Sequence, residues 1–370
     1  MFEIIFFIAI CGYFIQSVIF IIGAAKKFPV IEEKDLPTVS VIVAARNEEK
    51  NILRCLNALD KLIYPEGKLE IIIVDDQSTD NTGRIIDEFI ATRNQLNLSP
   101  CRFRKIITKK EIGRLKGKTN ALANAIEAAK NEIILTTDAD CEVKPTWVFK
   151  TASYFQKDVG MVNGITTQAA YDSFSGMQSL DFIYLLIVAS STINLGNPIS
   201  CIGNNMSYRK KAYEEVGGYE NLPFSVTEDF NLLMAIYKLK KYKIIYPVDK
   251  DTLVTSLPCP DIKSLFHQKK RWGVGGLDVP FRGFAIMANG FLTYLCILLM
   301  PFFYTPLCLY LLVLKILLDA LVLYPALRIL GIEKNFRYFI NFQVYYLVYV
   351  IALPFIVLFN RKVVWKGRKY

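Results

Sequence analysis

Residues 2–23 are almost continuously apolar, as are most of 286–329 and 338–360, while the middle of the chain alternates short β-branched runs with stretches of helical apolar period. The first run is long enough to span a bilayer. It lacks a basic leader and is too long for a signal-peptide core, so it reads as a retained anchor over residues 1–25. Residues 286–329 hold a mostly apolar stretch broken by Pro301 and Pro306, which predicts a two-helix hairpin. With 338–360 the C-terminal segment, 286–360, contains about three helices, and 361–370 form a basic tail.

Between the apolar ends, 37–285 read as one α/β domain. Val39–Ala45 is a buried strand by its β-branched run, followed by a helix with Ile52, Cys55, Leu56 and Leu59 on one face. Glu70–Val74 is a second strand, leading to a helix that carries Ile85, Ile86, Phe89 and Ile90. Arg102–Thr108 is a third strand; residues 116–130 form an Ala-rich helix; Glu132–Leu135 is a strand running into Asp138. Such alternation implies a parallel sheet covered on both faces. Beyond Asp140 the pattern loosens. Residues 160–166 suggest a strand, and 203–206 a turn. The apolar run 177–197 carries Asp181 and ends at Gly196-Asn197-Pro198, which fits a buried or interfacial helix better than a span. Residues 261–272 form a helix at the domain's edge.

Composition narrows the class. The chain of 370 residues is 53% hydrophobic with a net charge of +10, and much of the basic excess lies beside the apolar segments. That distribution suits an anionic membrane face and not a nucleic-acid groove. Lys26 and Lys27 place the residues after the anchor in the cytoplasm by the positive-inside bias. Three C-terminal crossings would put the basic tail outside, against the same bias; we expect a cytoplasmic tail, with one apolar segment failing to cross fully. The 8 cysteines form no Cys-x-x-Cys, which argues against structural zinc and a disulfide scaffold. His267 is the only histidine, so a mechanism needing several imidazoles is excluded.

Candidate chemistry lies at strand and helix ends. Asp138-Ala139-Asp140 follows a strand, where two carboxylates could hold Mg2+ or Mn2+ on a diphosphate or simply form a solvated turn. Asp75-Asp76-Gln77-Ser78 also follows a strand; Asp76 could accept hydrogen bonds from a nucleotide base, and Ser78 or Asp80 could cap the next helix. Lys118 precedes a helix and suits a diphosphate. Thr227-Glu228-Asp229 offers a general base or a cap. Gln268, Arg271 and Trp272 share one helix face, where arginine can bind a diphosphate and tryptophan can stack on a sugar, or both can sit at a membrane interface. Lys315 and Asp319, four residues apart in an apolar helix, could pair or line a path.

Taken in order, Ala44-Ala45-Arg46-Asn47-Glu48, Asp75-Asp76-Gln77-Ser78, Gly117-Lys118-x-x-Ala121-Leu122, Asp138-Ala139-Asp140, Thr227-Glu228-Asp229 and Gln268-Lys269-Lys270-Arg271-Trp272 resemble the membrane-integrated family 2 glycosyltransferases. The resemblance covers about 37–285. It implies a GT-A fold, a Rossmann-like mixed sheet with helices on both faces, flanked by N- and C-terminal transmembrane helices. It also implies roles. Ala44, Arg46, Glu48 and Asp76 bind the nucleotide, and Lys118 and Asp138 contact it or its phosphates. Asp138 and Asp140 hold a divalent cation, Mg2+ or Mn2+. Asp229 is the catalytic base. Glu228, Gly203, Asn204, Gln268, Arg271 and Trp272 surround the acceptor and diphosphate. The chain departs from the family where Ala45 replaces a common proline and Gln77 a common glycine.

The expected activity is inverting transfer of a sugar from a nucleotide-diphosphate sugar, foremost a UDP-sugar, to a membrane lipid. The setting expected is a bacterial cytoplasmic membrane, with the catalytic domain facing the cytoplasm. A processive polysaccharide synthase is the alternative. A nucleotidyltransferase and a non-catalytic sensor of the same fold are more distant ones.

Overall fold

The computed structural model describes residues 1–96, 102–108, 111–223, 225, 227–359 and the two short strands 364–365 and 368–369. Helix α1 (Phe2–Ala24) leads to strand β1 (Val39–Ala45), helix α2 (Ile52–Leu59), β2 (Leu69–Asp75), α3 (Thr82–Leu96), β3 (Arg102–Ile107), α4 (Gly117–Ala128) and β4 (Ile133–Asp138). Then come β5 (Glu142–Val143), α5 (Trp147–Ser153), β6 (Val159–Asn163), β7 (Thr166–Gln168) and the long α6 (Ser173–Asn194). They are followed by β8 (Met206–Arg209), α7 (Lys210–Glu215), α8 (Glu228–Lys238), β9 (Lys243–Ile245), β10 (Val254–Ser256) and α9 (Ile262–Gly275). Helices α10 (Phe281–Leu299), α11 (Pro306–Leu330) and α12 (Phe339–Phe359) follow, and the chain ends in the paired strands β11 (Val364–Trp365) and β12 (Arg368–Lys369). The rest of the expected basic tail lies outside the described residues.

The main sheet has the order β3-β2-β1-β4-β8-β6-β9. Strands β1 to β4 are mutually parallel, as the alternation of elements predicts, but β8 runs antiparallel to both β4 and β6. The sheet is therefore mixed, as the resemblance implies. Residues 203–206, expected as a turn, form a 3-10 turn at Gly203–Asn205 that runs straight into β8. The expected strand over 160–166 divides into β6 in the main sheet and β7 in a second sheet of order β5-β10-β7. Strands of three to five residues carry too few side chains to express a period.

Alternation along the central strands sorts their side chains onto two faces. Val41, Val43, Ile71, Ile73, Ile133 and Leu135 pack with α2 and α5 on one face. Ile42, Ile72 and Ile134 pack on the other with α4 and α6, and that apolar cluster continues into Phe20 of α1, Leu323 of α11 and Phe342 of α12. Full burial of such a side chain contributes about 1.5–3 kcal/mol, so both faces have a strong reason to stay covered.

Among the described residues, five segments are long and apolar enough to cross a membrane: Phe2–Ala24, Ser173–Asn194, Phe281–Phe302, Pro306–Leu330 and Glu333–Phe359. The second of these, α6, is 89% buried inside the protein, against 11–39% for the others. It is the buried helix that Asp181 suggested. Lys26, just past α1, donates to the Asn194 carbonyl at the end of α6 at 2.7 Å.

Lys315 and Asp319 do pair, at 2.8 Å, and both are fully buried. Gln343 of α12 accepts from Lys315 at 2.7 Å and donates to Asp319 at 2.8 Å. Tyr13 of α1 donates to the other Asp319 oxygen at 2.6 Å and meets the Tyr184 hydroxyl of α6 at 2.9 Å. Lys315 also donates to the Tyr294 hydroxyl of α10, so one polar knot ties five helices together, which is how charged side chains persist among apolar ones.

Candidate active site

The register sets the site. Ala44 of β1 lies opposite Val74 of β2 on one side and Asp138 of β4 on the other, so the carboxyl ends of three adjacent parallel strands open side by side. In open α/β sheets that edge is where ligands bind. Asp76 follows β2; its backbone N–H donates to the Ala45 carbonyl at 2.8 Å, and its carbonyl accepts from Arg46 at 2.9 Å. The Arg46 guanidinium also lies 3.6 Å from the Asp76 carboxylate, which is nearly buried. Glu48 is held by its backbone N–H donating to Thr82 Oγ1 at 2.7 Å. Gln77 has a left-handed φ of 55°. That is the conformation glycine adopts freely, which gives the departure from the family pattern at this position a physical meaning. The Gln77 amide donates to the Thr108 carbonyl at 3.2 Å and holds the turn.

Lys118, in the first turn of α4, donates to Asp138 Oδ1 at 2.5 Å and lies 3.8 Å from Glu228. Burial works against its charge, but Asp138 and Glu228 outweigh burial and hold the ammonium above the ordinary lysine range. Asp140 follows two residues after Asp138, and its backbone carbonyl accepts from Arg54. Among the described residues no three His, Cys, Asp or Glu side chains group as a metal cage. Two carboxylates alone fit a hard cation that completes its shell with diphosphate oxygens and water.

Gly203 approaches from the turn before β8. A Cβ there would lie 3.2 Å from Asp229 Cβ, so the glycine lets the backbone come close to that carboxylate. Its carbonyl accepts from Thr136 at 2.8 Å, and the Asn204 side chain accepts from Thr166 at 2.8 Å. Asn205 faces the core, accepting from the Trp147 indole and donating to the Ile165 and Thr252 carbonyls.

Asp229, in the first turn of α8, accepts from the Phe230 N–H at 2.8 Å. Burial first, then the Glu228 carboxylate, push its carboxyl up to about 6, against the pull of the Phe230 N–H, Lys118 and Arg271. Adjacent side chains at a helix start are expected to diverge, yet Glu228 and Asp229 line the same cavity. Gln268, Arg271 and Trp272 of α9 line it too. Trp272 stacks on Phe182 with centroids 5.3 Å apart. At the end of α9, a Cβ on Gly275 would come within 2.4 Å of Thr227, so the helix presses directly on the loop before Asp229.

The cavity has a volume of about 890 Å3 and is lined by every residue to which the resemblance assigns a role: Ala44, Arg46, Glu48, Asp76, Lys118, Asp138, Asp140, Gly203, Asn204, Glu228, Asp229, Gln268, Arg271 and Trp272; Lys315 and Asp319 do not line it. Sequence reasoning missed its far wall. Tyr13, Tyr294, Tyr346 and Tyr349 come from helices that look like plain spans, and Tyr184 from the buried α6. It also missed Lys269, whose ammonium bonds to buried Asp181 and lies 4.2 Å over the Trp272 ring. The one available signal was Asp181, a carboxylate in an apolar run that demands a partner.

Residues 40–217 match the model of glycosyl transferase family 2, and residues 133–359 match that of glycosyl transferase family group 2. The chain is 28% identical over 247 residues to a beta-monoglucosyldiacylglycerol synthase of Nostoc sp., covering 65% of this chain and 49% of that protein. It is 28% identical over 257 residues to a poly-beta-1,6-N-acetyl-D-glucosamine synthase of Staphylococcus epidermidis, covering 68% of this chain and 58% of that protein. The chain thus spans about half the length of the curated relatives it matches. Among solved structures, a mannosyltransferase from Pyrobaculum calidifontis in complex with GDP-Man and Mn2+ superposes with a TM-score of 0.61 at 19% identity, covering 93% of this chain and 98% of that one.

Proposed function

This chain belongs to the family 2 glycosyltransferases, and on that premise we propose that it moves a sugar, with inversion, from a nucleotide-diphosphate donor to a hydroxyl of a membrane lipid. The observation that carries this reading is the single cavity in which the carboxylates Asp138, Asp140, Glu228 and Asp229 share space with apolar side chains of α10 and α12. A polysaccharide synthase, supported by the similarity to the Staphylococcus epidermidis protein, is the second reading. The apolar stretch of Phe284, Met287 and Phe291 on α10 and Leu353 and Val357 on α12 supports the lipid, and the hydroxyls of Tyr294, Tyr346 and Tyr349 on the same helices are what the second reading would use.

The donor, foremost a UDP-sugar, lies across the ends of β1, β2 and β4. Asp76 and Arg46, with the backbone at Ala44 and the side chain of Glu48, take the nucleoside; Lys118 and Arg271 take the diphosphate. Asp138 and Asp140 would hold Mg2+ or Mn2+, which when bound neutralises the diphosphate and eases its departure. Trp272 and Gln268 border the sugar and acceptor beside Gly203 and Asn204. Asp229 removes the acceptor proton as the hydroxyl oxygen bonds to the anomeric carbon. The bond from that carbon to the diphosphate oxygen breaks on the opposite face, and nucleoside diphosphate leaves with the electron pair. Glu228 beside Asp229 keeps that base from being too weak, since a like charge disfavours its ionised form.

Residues 37–285 form the catalytic domain in this reading, with 1–25 as anchor and 286–360 as the C-terminal helices. The domain faces the cytoplasm of a bacterial cell, where nucleotide sugars are made, on the side marked by Lys26 and Lys27. The test is to incubate membranes carrying the protein with a panel of labelled nucleotide sugars and extract the lipids. Label in a lipid, with nucleoside diphosphate released, supports the reading. Label confined to a water-soluble polymer transfers the assignment to the second reading, and pyrophosphate release overturns both.

A further inference from the structure

The cavity that holds Asp229 does not end at the edge of the catalytic domain. It continues between α10 and α12, where it is lined by Phe284, Met287 and Phe291 on one helix and Leu353 and Val357 on the other. The described residues these two helices contribute to it carry no charge. Gly290 lines the same stretch, and a Cβ built on it meets no atom within 4 Å. The neighbouring glycines are different. On the same helix a Cβ at Gly283 would lie 3.0 Å from Val279, and on α9 a Cβ at Gly273 would lie 2.7 Å from Leu353. Gly276, which also lines the cavity, is open in the same way, and Phe284 and Met287 are partly exposed; on α10 itself Gly290 is open where Gly283 is packed.

An apolar gap between helices gains nothing from water and loses dispersion contacts while empty. A hydrocarbon chain suits the stretch beside Gly290, where Phe284, Met287, Phe291, Leu353 and Val357 present no polar side-chain group. Continuity with Asp229 decides whose chain it is, because a lipid whose hydroxyl reaches the base must pass its tail somewhere within the same cavity. We propose that the gap between α10 and α12 is an alkyl-chain subsite, seating one hydrocarbon chain of the acceptor lipid with Gly290 as its open wall. This rests on the lipid-acceptor reading above and adds to it where the tail lies and which residue limits its length. Gly290 is helical and has no positive φ, so a larger side chain there projects into the gap without straining the backbone.

The experiment compares wild type, Gly290→Ala and Gly290→Phe in native membranes supplied with labelled nucleotide sugar. It reads the chain-length distribution of the labelled glycolipids by mass spectrometry, with binding of the nucleotide alone measured alongside. The expected result is unchanged nucleotide binding in all three and a wild-type distribution for Gly290→Ala. For Gly290→Phe the longest-chain products fall at least about 10-fold relative to the shortest, as expected when a pocket wall is filled by groups larger than a methylene. A wild-type distribution and rate from Gly290→Phe overturn the subsite while leaving the lipid acceptor standing. Should Gly290→Phe lose nucleotide binding, Gly290→Leu takes its place with the same two outcomes. Absence of any labelled lipid from the wild type overturns the lipid-acceptor reading itself, and the subsite with it.

Discussion

Lys118 donates to Asp138 Oδ1 at 2.5 Å, so the lysine offered to the donor phosphates and the first carboxylate offered to a cation are partners of one another. The pair arises because Ala44 of β1 lies beside Asp138 at the end of β4 and α4 begins at the same edge of the sheet. A diphosphate brought to that edge meets a positive group and a negative one together. The carboxylates repel it unless a cation reverses their sign. Exhaustive chelation is therefore expected to abolish turnover, and added Mg2+ or Mn2+ to restore it. Full turnover in the chelated enzyme would remove Asp138 and Asp140 from the cation's shell.

Asp229→Asn keeps the shape of the side chain and most of its capping bond to Phe230 while removing the base. A positioned base contributes roughly 100- to 10,000-fold. The variant should fold, bind donor almost normally and turn over at least about 100-fold more slowly. If Asp229 were only a cap, the cost would be about 1 kcal/mol of stability with turnover intact. Glu228→Gln serves as comparison, since both carboxylates line the cavity; normal Asp229→Asn turnover with an inactive Glu228→Gln would shift the base by one residue.

The raised carboxyl of Asp229 gives a pH signature. Its base form is lost as pH falls through about 6, so kcat/KM should decline below that pH and not near the ordinary carboxylate range. Burial is the largest cause and Glu228 the next. Removing the Glu228 charge lowers the Asp229 value, so Glu228→Gln should carry the acid limb of the profile to lower pH. A limb that stays in place would show that another group sets it.

Trp272 stacks on Phe182 and lines the cavity, and Lys269 lies over its ring. Trp272→Ala should lower turnover far more than donor affinity, because its helix adjoins the acceptor end of the cavity. Equal losses in both, read by nucleotide binding and steady-state rates, would make the indole a simple anchor.

The polar knot predicts non-additivity. Lys315→Met leaves Asp319 buried without its cation and should destabilise the helices by about 3 kcal/mol or more, as for other broken buried pairs. Lys315→Met combined with Asp319→Leu should recover much of that loss. Thermal unfolding in detergent checks it; strict additivity of the two changes would mean that the pair is not coupled.

The central strands were legible because β-branched residues fill both faces of β1, β2 and β4, and the ends of those strands placed Asp76 and Asp138 correctly. Strand β8 was not, since Met206–Arg209 is too short to show a period and takes its antiparallel place from its neighbours. The left-handed backbone at Gln77, φ 55°, could not be read from the sequence, because glutamine carries no local signal for a conformation that glycine adopts freely. The far wall of the cavity was hidden for another reason. Tyrosines on apolar helices are common at membrane interfaces, and only the packing of α1, α6, α10 and α12 turns Tyr13, Tyr184, Tyr294 and Tyr346 toward one space. The bond of Lys269 to Asp181 links positions far apart in the chain; Asp181 in its apolar run calls for a partner, but no local pattern says which residue supplies it.

Ile42 in the sheet, Phe20 in α1, Leu323 in α11 and Phe342 in α12 belong to one apolar cluster. Cutting the chain after α9 to obtain a water-soluble catalytic fragment would thus strip α11 and α12 from α6 and from that cluster, leaving α1 as the one terminal helix still covering it. What remained would be an enzyme with its core laid open, prone to aggregate at the seam. A useful truncation would have to bring replacement side chains for α11 and α12, in the way a capping repeat closes the end of a solenoid.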